Sequence, residues 1–433
     1  MIRNPMIRFI YNLFWPVGFL FFLPGYLLKM VRRGGYRQKF GQRFGLYRCN
    51  VRTGLSAQKS TWLHAVSVGE VNVALKLANA LRTLTPDLNC VLTTTTTTGF
   101  AMANKGAPSW IEVMYTPLDY WPIIRRAFAV IRPERIVLVE AEIWPNLVAA
   151  AHARRIPLAL VNARLSLHSE KRFRQFRFFV APTFSLLDLV CVPESEDVDR
   201  WAALGVDRSR IHHTGSIKYD PEEVAVDPAL SQKVLRDLSV EGRPILFGGS
   251  THPSEEEILG KIFCRLRVQF PDLFLIVAPR HVERAPEVRR TLERLGLRVV
   301  VRSQLPIIGR GTVDCLLLDS TGELRNWYPV ATIAFIGKSL TAHGGQNPVE
   351  PIIAGKPVVF GPHMENFATL ARVLVTGKGA IKVQDADSLE LAIEKLLRDN
   401  KARQSLVDNA RQILGEHTGA TSRTAGLVVN LRP

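Results

Sequence analysis

WLHAVSVGEVNVALKLANAL, residues Trp62–Leu81, packs a strand, a turn and a helix into twenty residues. Trp62 to Val66 is a short apolar run that predicts a strand, and Ser67-Val68-Gly69 is a small-residue turn. Val71, Ala74, Leu75, Ala78 and Leu81 then recur at three- and four-residue spacing, which predicts a helix with one apolar face. A single carboxylate, Glu70, stands at the mouth of the turn. Ligands of open α/β sheets bind outside the carboxyl ends of the strands, where this turn falls. Glu70 therefore has two readings: a group facing a ligand, or a complement to the positive end of its own helix.

The same alternation continues along the chain. Strand-like runs stand at Cys90–Thr94, Arg135–Val139, Leu158–Asn162 and Leu189–Val192, with helical patterns at Tyr120–Ile131 and Pro145–Ala153 between them. The six threonines Thr93–Thr98 read as a strand end and its loop, because threonine suits strands and its hydroxyl suits caps. After Pro244 a second series begins, with strands expected at Ile245–Gly248, Leu273–Val277, Leu297–Val301, Cys315–Leu318, Ile333–Ile336 and Val358–Phe360. Strands alternating with helices argue for parallel sheets covered on both faces. The 433 residues exceed what one core usually holds. The expected fold class is thus α/β, with two doubly wound Rossmann-like domains facing a cleft. The boundaries fall at 46–215 for the first domain, 216–243 for a polar linker and 244–433 for the second, after an N-terminal segment at 1–45.

That segment has its own chemistry. Phe9 to Leu28 carries no charge and is rich in Phe, Leu, Trp and Tyr; about 20 apolar residues is the length of a bilayer span. Lys29, Arg32, Arg33, Arg37, Lys39 and Arg43 follow it, whereas only Arg3 and Arg8 precede it, so the bulk of the chain is expected on the cytoplasmic side. An uncleaved membrane anchor is the first reading. Pro16 and Pro24 leave a second, a kinked segment lying in one leaflet. The net charge of +17 favours a polyanionic partner. Five scattered cysteines and histidines without close metal-ligand spacing indicate neither a disulfide framework nor a metal site, and no cofactor is expected.

Several loops at strand ends carry reactive groups. Glu140 and Glu142 follow a strand directly, beside Trp144; Glu140 is the better candidate for chemistry and Glu142 for a cap. Gly215-Ser216-Ile217-Lys218-Tyr219-Asp220 places a lysine at the domain junction. In the second half, Gly248-Gly249-Ser250-Thr251-His252-Pro253-Ser254 leads into a helix, with Ser254 and Glu257 at capping-box spacing. Small residues before a helix suit phosphate. Pro279-Arg280-His281 offers a guanidinium, and Gly344-Gly345-Gln346-Asn347-Pro348-Val349-Glu350 combines flexible glycines, an amide and an acid. Together they point to a sugar nucleotide. Neither GxGxxG nor GxxxxGK[ST] occurs, so nicotinamide and P-loop chemistry lack their usual signatures.

WLHAVSVGE, VEAEIWPN, VNARLS, TGSIKYD, GGSTHPSEEE, APRHVER, DSTGELRNWY and HGGQNPVEP, in this order, resemble the successive motifs of the 3-deoxy-D-manno-octulosonic acid (Kdo) transferases. The resemblance runs over four-fifths of the chain. It implies a GT-B glycosyltransferase that moves Kdo from a CMP-Kdo donor to a lipid A precursor in lipopolysaccharide biosynthesis. It further implies a metal-independent enzyme at the cytoplasmic face of the inner membrane, with no nucleic acid as partner. By motif, Glu70 corresponds to the catalytic base, and Glu140 and Lys218 to groups that stabilise the transition state. The CMP site would be Pro279 and Arg280, then Thr321, Gly322 and Glu323, then Asn347, Pro348, Val349 and Glu350. The chain departs from the family's pattern at Ala141, where a hydroxyl is usual, at Lys338, where glycine is usual, and at Gln346, where histidine is usual. Another GT-B enzyme using a UDP-sugar is the alternative.

Overall fold

The structure is a computed structural model that describes residues 5–33, 39–47, 59–141, 143–220, 228–305 and 312–432. The chain divides into two units, Met1–Asp220 with His417–Pro433, and Pro221–Glu416. Among the described residues, the first contains one parallel sheet of β1 (Ser60–Ala65), β2 (Cys90–Thr94), β3 (Ile111–Tyr115), β4 (Pro133–Val139), β5 (Leu158–Val161), β6 (Leu189–Val192) and β7 (Ile211–His213). Its order is β3-β2-β1-β4-β5-β6-β7. The chain winds outward from β1, then returns to the other side of β1 with β4. β1 and β4 are therefore the switch point, and the loops behind them part to leave a crevice above the sheet.

The sequence explains the layers. Leu63 and Ala65 of β1 point to one face and join Val71, Ala74, Leu77, Ala78 and Leu81 of the helix Val68–Leu84. Trp62 points to the other and joins Ile124, Phe128, Leu147 and Val148 from the helices Trp121–Ile131 and Pro145–Ala153. Alternate residues of one strand thus feed two cores, which is why β1 and β2 are buried along their whole length.

Three strands escape the sequence reading. β3 is interrupted by Glu112, β7 has only three residues and exposes His212 and His213, and β14 (Ile381–Lys382) has two. The second unit's sheet is made of β8 (Ile245–Thr251), β9 (Phe274–Pro279), β10 (Val299–Val301), β11 (Cys315–Leu317), β12 (Ile333–Ile336), β13 (Val358–Phe360) and β14, in the order β10-β11-β9-β8-β12-β13-β14. Its switch point lies between β8 and β12.

Two boundaries move. The tail assigned to the second domain returns to the first unit, where Ala425 and Val428 of the helix Ala420–Asn430 enter the core beside β1. Asp220 holds it there by accepting the N–H groups of Gly419 (2.8 Å) and Thr421 (2.7 Å). Of the expected linker, residues 221–227 lie outside the described residues, while Val234 and Leu235 of the helix Ala229–Asp237 are core residues of the second unit.

The N-terminal helix Pro5–Arg33 is fastened to the first unit along one face. Tyr11 donates to Asp119 (3.1 Å), Asn12 and Asn146 exchange side-chain hydrogen bonds (2.8 and 2.9 Å), and Trp15 stacks on Tyr120 at 4.9 Å. The opposite arc carries Phe9, Leu13, Phe14, Val17, Leu20 and Phe21, with Phe21 80% exposed. Among the described residues no helix is long and apolar enough to cross a membrane, so the spanning anchor expected from composition is not observed.

Two glycines test the packing in opposite senses. A Cβ on Gly337 would stand 2.2 Å from the Ser250 carbonyl oxygen, and backbone cannot swing aside as a side chain can. Gly337→Ala is expected to destabilise the protein by at least about 1–3 kcal/mol. A Cβ on Gly426, within the last helix, meets nothing within 4 Å, and Gly426→Ala should stabilise by about 0.5–1 kcal/mol. Denaturant midpoints of the two variants check both signs.

Candidate functional site

The first unit's switch point carries two carboxylates, one behind each central strand. Ser67, extended at the N-cap, accepts the Glu70 N–H (3.4 Å) and donates its hydroxyl to Glu70 Oε1 (2.7 Å), while the Val66 N–H donates to Oε2 (2.8 Å). Glu70 is buried by this exchange. The helix-end reading thus has real content, and it also fixes the carboxylate behind β1. Each oxygen retains acceptor capacity toward a further donor.

Glu140, behind β4, sits in the left-handed region at φ 62°, with its N–H donating to the Val161 carbonyl (2.9 Å). A non-glycine residue held there stores strain of about 1–3 kcal/mol and marks functional loops more often than others. Burial pushes the Glu140 carboxyl above its usual range, the neighbouring charge of Glu70 pushes the same way, and Lys218 and Arg164 pull it back. Lys218 is moved below the ordinary lysine range by burial, with Glu140 opposing and Arg164 reinforcing the shift. Two acids and two bases therefore share one electrostatic neighbourhood. Glu142, expected as a cap, lies outside the described residues.

Residues passed over in the sequence build this neighbourhood. Arg164 stands two positions behind Asn162, at the end of β5. Asn162 Oδ1 accepts the Ile217 N–H (3.2 Å) and the Ser216 hydroxyl (3.3 Å), and Lys76 Nζ donates to the Ile217 carbonyl (3.3 Å). These bonds hold the loop that presents Lys218. His64, within β1, accepts from Trp144 Nε1 at its Nε2 (3.1 Å), which puts the proton on Nδ1, facing the hydroxyls of Thr93 (3.1 Å) and Thr116 (3.3 Å). Burial holds its pKa near 4, so it is a neutral brace for Trp144. Asn162 and Arg164 lie in VNARLS directly behind a strand, a signal the same reasoning that found Glu140 could have used.

The second unit's switch point is riveted by Glu255. Its carboxylate accepts N–H groups from His252 (2.8 Å), Lys338 (2.7 Å), Ser339 (3.0 Å) and Leu340 (3.0 Å), joining the loops behind β8 and β12. The expected capping box of Ser254 and Glu257 does not form. Ser254 is left-handed and makes no side-chain cap, and Glu257 pairs with Lys261 on the surface instead. Around this rivet the charge is positive. His252 is held near pKa 4 first by burial and then by the charges of neighbours that include Lys338, Arg284 and Arg280. Gln346 and Lys338 take part directly: the Gln346 amide lies 3.3 Å from His252, and Lys338 Nζ lies 3.3 Å from where a Gly344 Cβ would stand.

The predicted nucleotide residues fall into three groups. Pro279 ends β9 and is buried, while Arg280 is exposed and ties its N–H to the Thr251 carbonyl (3.0 Å). Thr321 and Gly322 are exposed; Glu323 accepts from Ser320 (3.0 Å) and pairs with Arg302 (3.7 Å). Asn347 accepts the Val349 N–H (3.0 Å), Pro348 precedes the helix Val349–Ile353, and Glu350 pairs with Arg325 (3.1 Å). Arg325 thereby links the second and third groups.

Residues 38–221 match the family described as 3-deoxy-D-manno-octulosonic-acid transferase (kdotransferase). The 3-deoxy-D-manno-octulosonic acid transferase of Haemophilus influenzae is 34% identical over 404 residues, 93% of each chain. That of Bordetella pertussis is 34% identical over 408 residues, 91% of this chain and 92% of the relative. The chain belongs to the Kdo transferase family. It is a glycosyltransferase of lipopolysaccharide biosynthesis, as its motifs led us to expect. The solved UDP-GlcNAc 2-epimerase of Neisseria meningitidis, bound to UDP-GlcNAc, is 12% identical and covers 86% of this chain and 99% of its own, with a TM-score of 0.54. That likeness concerns the fold alone, two parallel doubly wound sheets of the GT-B kind.

The raised pKa of Glu140 has a measurable sign in this Kdo transferase. A carboxyl that binds its proton more tightly folded than unfolded costs stability as pH rises from the ordinary carboxylate range through its raised folded pKa. Glu140→Gln removes the ionised form. Its melting temperature should exceed that of the parent at neutral pH, with the difference vanishing below about pH 4. Thermal scans across pH check this.

Proposed function

We propose that this chain transfers Kdo from CMP-Kdo to a hydroxyl of a phosphorylated lipid A precursor, with inversion at the anomeric carbon. The observation that carries the reading is the shared neighbourhood of Glu70, Glu140 and Lys218 at the first unit's switch point, in a chain of this family. A sugar hydroxyl is a poor nucleophile at neutral pH. Glu70 takes its proton as it attacks, a contribution of about 10²–10⁴-fold. Glu140, whose burial and position beside Glu70 keep it above the usual carboxylate range, and Lys218 offset the charge that moves during transfer.

The donor's anionic groups are assigned to the second unit's cationic loops. Arg280 and Lys338 meet the phosphate and sugar carboxylate, and Asn347 and Glu350 meet polar groups of the nucleotide sugar. Protein cations and helix N–H groups supply the countercharge, so transfer is expected to continue in excess EDTA. At saturating CMP-Kdo, an activity abolished by EDTA and restored by a divalent ion would overturn that part of the mechanism.

Glu70→Gln tests the base. Incubation with CMP-Kdo and a tetraacyl lipid A precursor, read by mass spectrometry, should show turnover lower by about 10²-fold or more with unchanged CMP affinity. Because Glu70 also accepts the Val66 N–H and the Ser67 hydroxyl, a stability loss of about 1 kcal/mol is expected alongside. Turnover close to that of the parent would move the role of base to Glu140.

The acceptor is a lipid, and we assign the N-terminal helix to the surface of the inner membrane's cytoplasmic leaflet. One face is engaged by Tyr11, Asn12 and Trp15, and the other exposes Phe9, Leu13, Phe14, Val17, Leu20 and Phe21. A helix with such a face lies in the interface rather than across it. The triple change Phe14→Ser, Leu20→Ser, Phe21→Ser should weaken sedimentation with anionic vesicles by about tenfold or more, since each buried CH₂ contributes about 0.8 kcal/mol. Its melting temperature should stay near the parent's. Unchanged sedimentation would remove the helix from the membrane contact.

A further inference from the structure

Three side chains of the second unit converge on one point, on the loops behind β12 and β13. His343 Nδ1 lies 3.1 Å from Glu365 Oε1, His363 Nδ1 lies 3.4 Å from the same oxygen, and the two imidazole rings are 4.0 Å apart. All three donor atoms fit within 4.8 Å of one another. Neighbouring ligands of a tetrahedral zinc ion, at bonds of about 2.0–2.1 Å, stand about 3.3–3.4 Å apart. We propose that His343, His363 and Glu365 bind one zinc-class divalent cation, with its fourth position open to water.

The donor set selects the ion. Two imidazoles and one carboxylate suit zinc and its neighbours in the first transition row, whereas calcium and magnesium prefer all-oxygen shells. The groups behind the ligands also fit. Glu365 Oε2 accepts the Gly344 N–H (2.6 Å), which turns Oε1 toward the imidazoles, and the His363 N–H donates to the Ser339 carbonyl (2.9 Å), which fixes that residue's backbone. Such outer contacts orient ligands and sharpen metal affinity. The His343 side chain is 79% exposed, so an ion can enter from solvent. The rival account, two imidazole–carboxylate hydrogen bonds at the surface, explains the distances but contributes little to stability. It also gives no reason for two imidazoles to crowd one carboxylate oxygen.

The position suggests a role. Asn366 already ties this loop to the glycines, its N–H donating to the Gly344 carbonyl (2.9 Å) and its side chain to the Gly345 carbonyl (3.4 Å). A cation held by residues 343, 363 and 365 would lock the start of the segment that ends in Asn347 and Glu350. Bound metal is therefore expected to stiffen the donor loop and tighten nucleotide binding without entering the chemistry. This consequence rests on the donor-loop assignment above; the metal site does not.

The full chain, stripped with chelator and dialysed, is titrated with Co²⁺ and then Zn²⁺. One equivalent of Co²⁺ should give the visible d–d bands of a tetrahedral site, and Zn²⁺ should displace it. His343→Ala and Glu365→Gln should each weaken binding by about tenfold or more while melting as the parent does without metal. A parent with no tetrahedral cobalt signal, or a His343→Ala variant that binds like the parent, overturns the site. CMP affinity measured with and without Zn²⁺ separates the two claims. Tightening in the parent that His343→Ala abolishes supports the brace. Metal binding that leaves CMP affinity unchanged overturns the brace and leaves the site standing, and absent CMP binding in both conditions overturns the donor-loop reading.

Discussion

The first unit is arranged around a repulsion. Glu70 and Glu140 share one buried neighbourhood, and burial together with the charge of Glu70 raises the cost of ionising Glu140. Left alone, Glu140 would favour its protonated form or move away. Neither is free to move: Glu70 is bonded through both oxygens to the turn behind β1, and Glu140 is locked in a left-handed conformation by its bond to β5. The countercharge must therefore come to them. Lys218 and Arg164 supply it from two further loops, and the loop carrying Lys218 is held by Asn162, by Lys76 and by the cap that Asp220 places on the returning C-terminal helix. The helix Ala420–Asn430 is thus tied to a loop some two hundred residues earlier.

How much of this was legible follows from the range of each interaction. β2, β6, β12 and β13 coincide with runs read from sequence, because an apolar run in a parallel sheet needs no knowledge of its neighbours. Edge strands such as β7 and β14 were not legible, since half their surface faces water and their pattern is weak. Glu70 and Glu140 could be singled out by position alone, as carboxylates immediately behind strands. The push of Glu70 on Glu140 could not, for it depends on β1 and β4 being neighbours although β2 and β3 intervene in the chain. The Ser254–Glu257 spacing is instructive in the other direction. A local motif was present, but Glu255 found four backbone donors from two loops, and that gain outweighed the local cap.

The second unit meets the same problem of parting loops with a different device. There the central element is one acid gathering N–H groups, and Lys338, Arg280 and Arg284 stand close enough to His252 to disfavour its protonation, after burial. Arg284 is paired with Glu256 (2.8 Å) and Glu287 (3.7 Å), so part of this charge is balanced within the protein. Lys338 shows how the local backbone constrains one residue. It occupies a left-handed position (φ 57°) that glycine would adopt without strain, and a cation is present there instead. The strain is offset by the backbone, whose N–H donates to Glu255 (2.7 Å) and whose carbonyl accepts the Gly345 N–H (3.0 Å).

The N-terminal helix is tied to the first unit by the same kind of buried acid. A spanning helix must be apolar on every side, since lipid surrounds it, whereas this one commits a side to Tyr11, Asn12 and Trp15 and to the protein groups they meet. Asp119 makes that commitment hard to undo. It is buried, its pKa is raised to about 6 mainly by burial, and it accepts from Tyr11 while also capping the helix that begins at Pro145 through the N–H groups of Asn146 and Leu147. Pulling the helix into a bilayer would strip Asp119 of a donor and expose the start of the helix that carries Asn146. The same segment leads from Glu140 and Trp144, so the N-terminal helix and the candidate base-and-lysine neighbourhood share a structural support. Packed on the first unit by one side, the helix leaves the opposite arc of Phe9, Leu13, Phe14, Val17, Leu20 and Phe21 apolar and exposed, which accounts for the uncharged residues without a helix long and apolar enough to cross a membrane among the described residues.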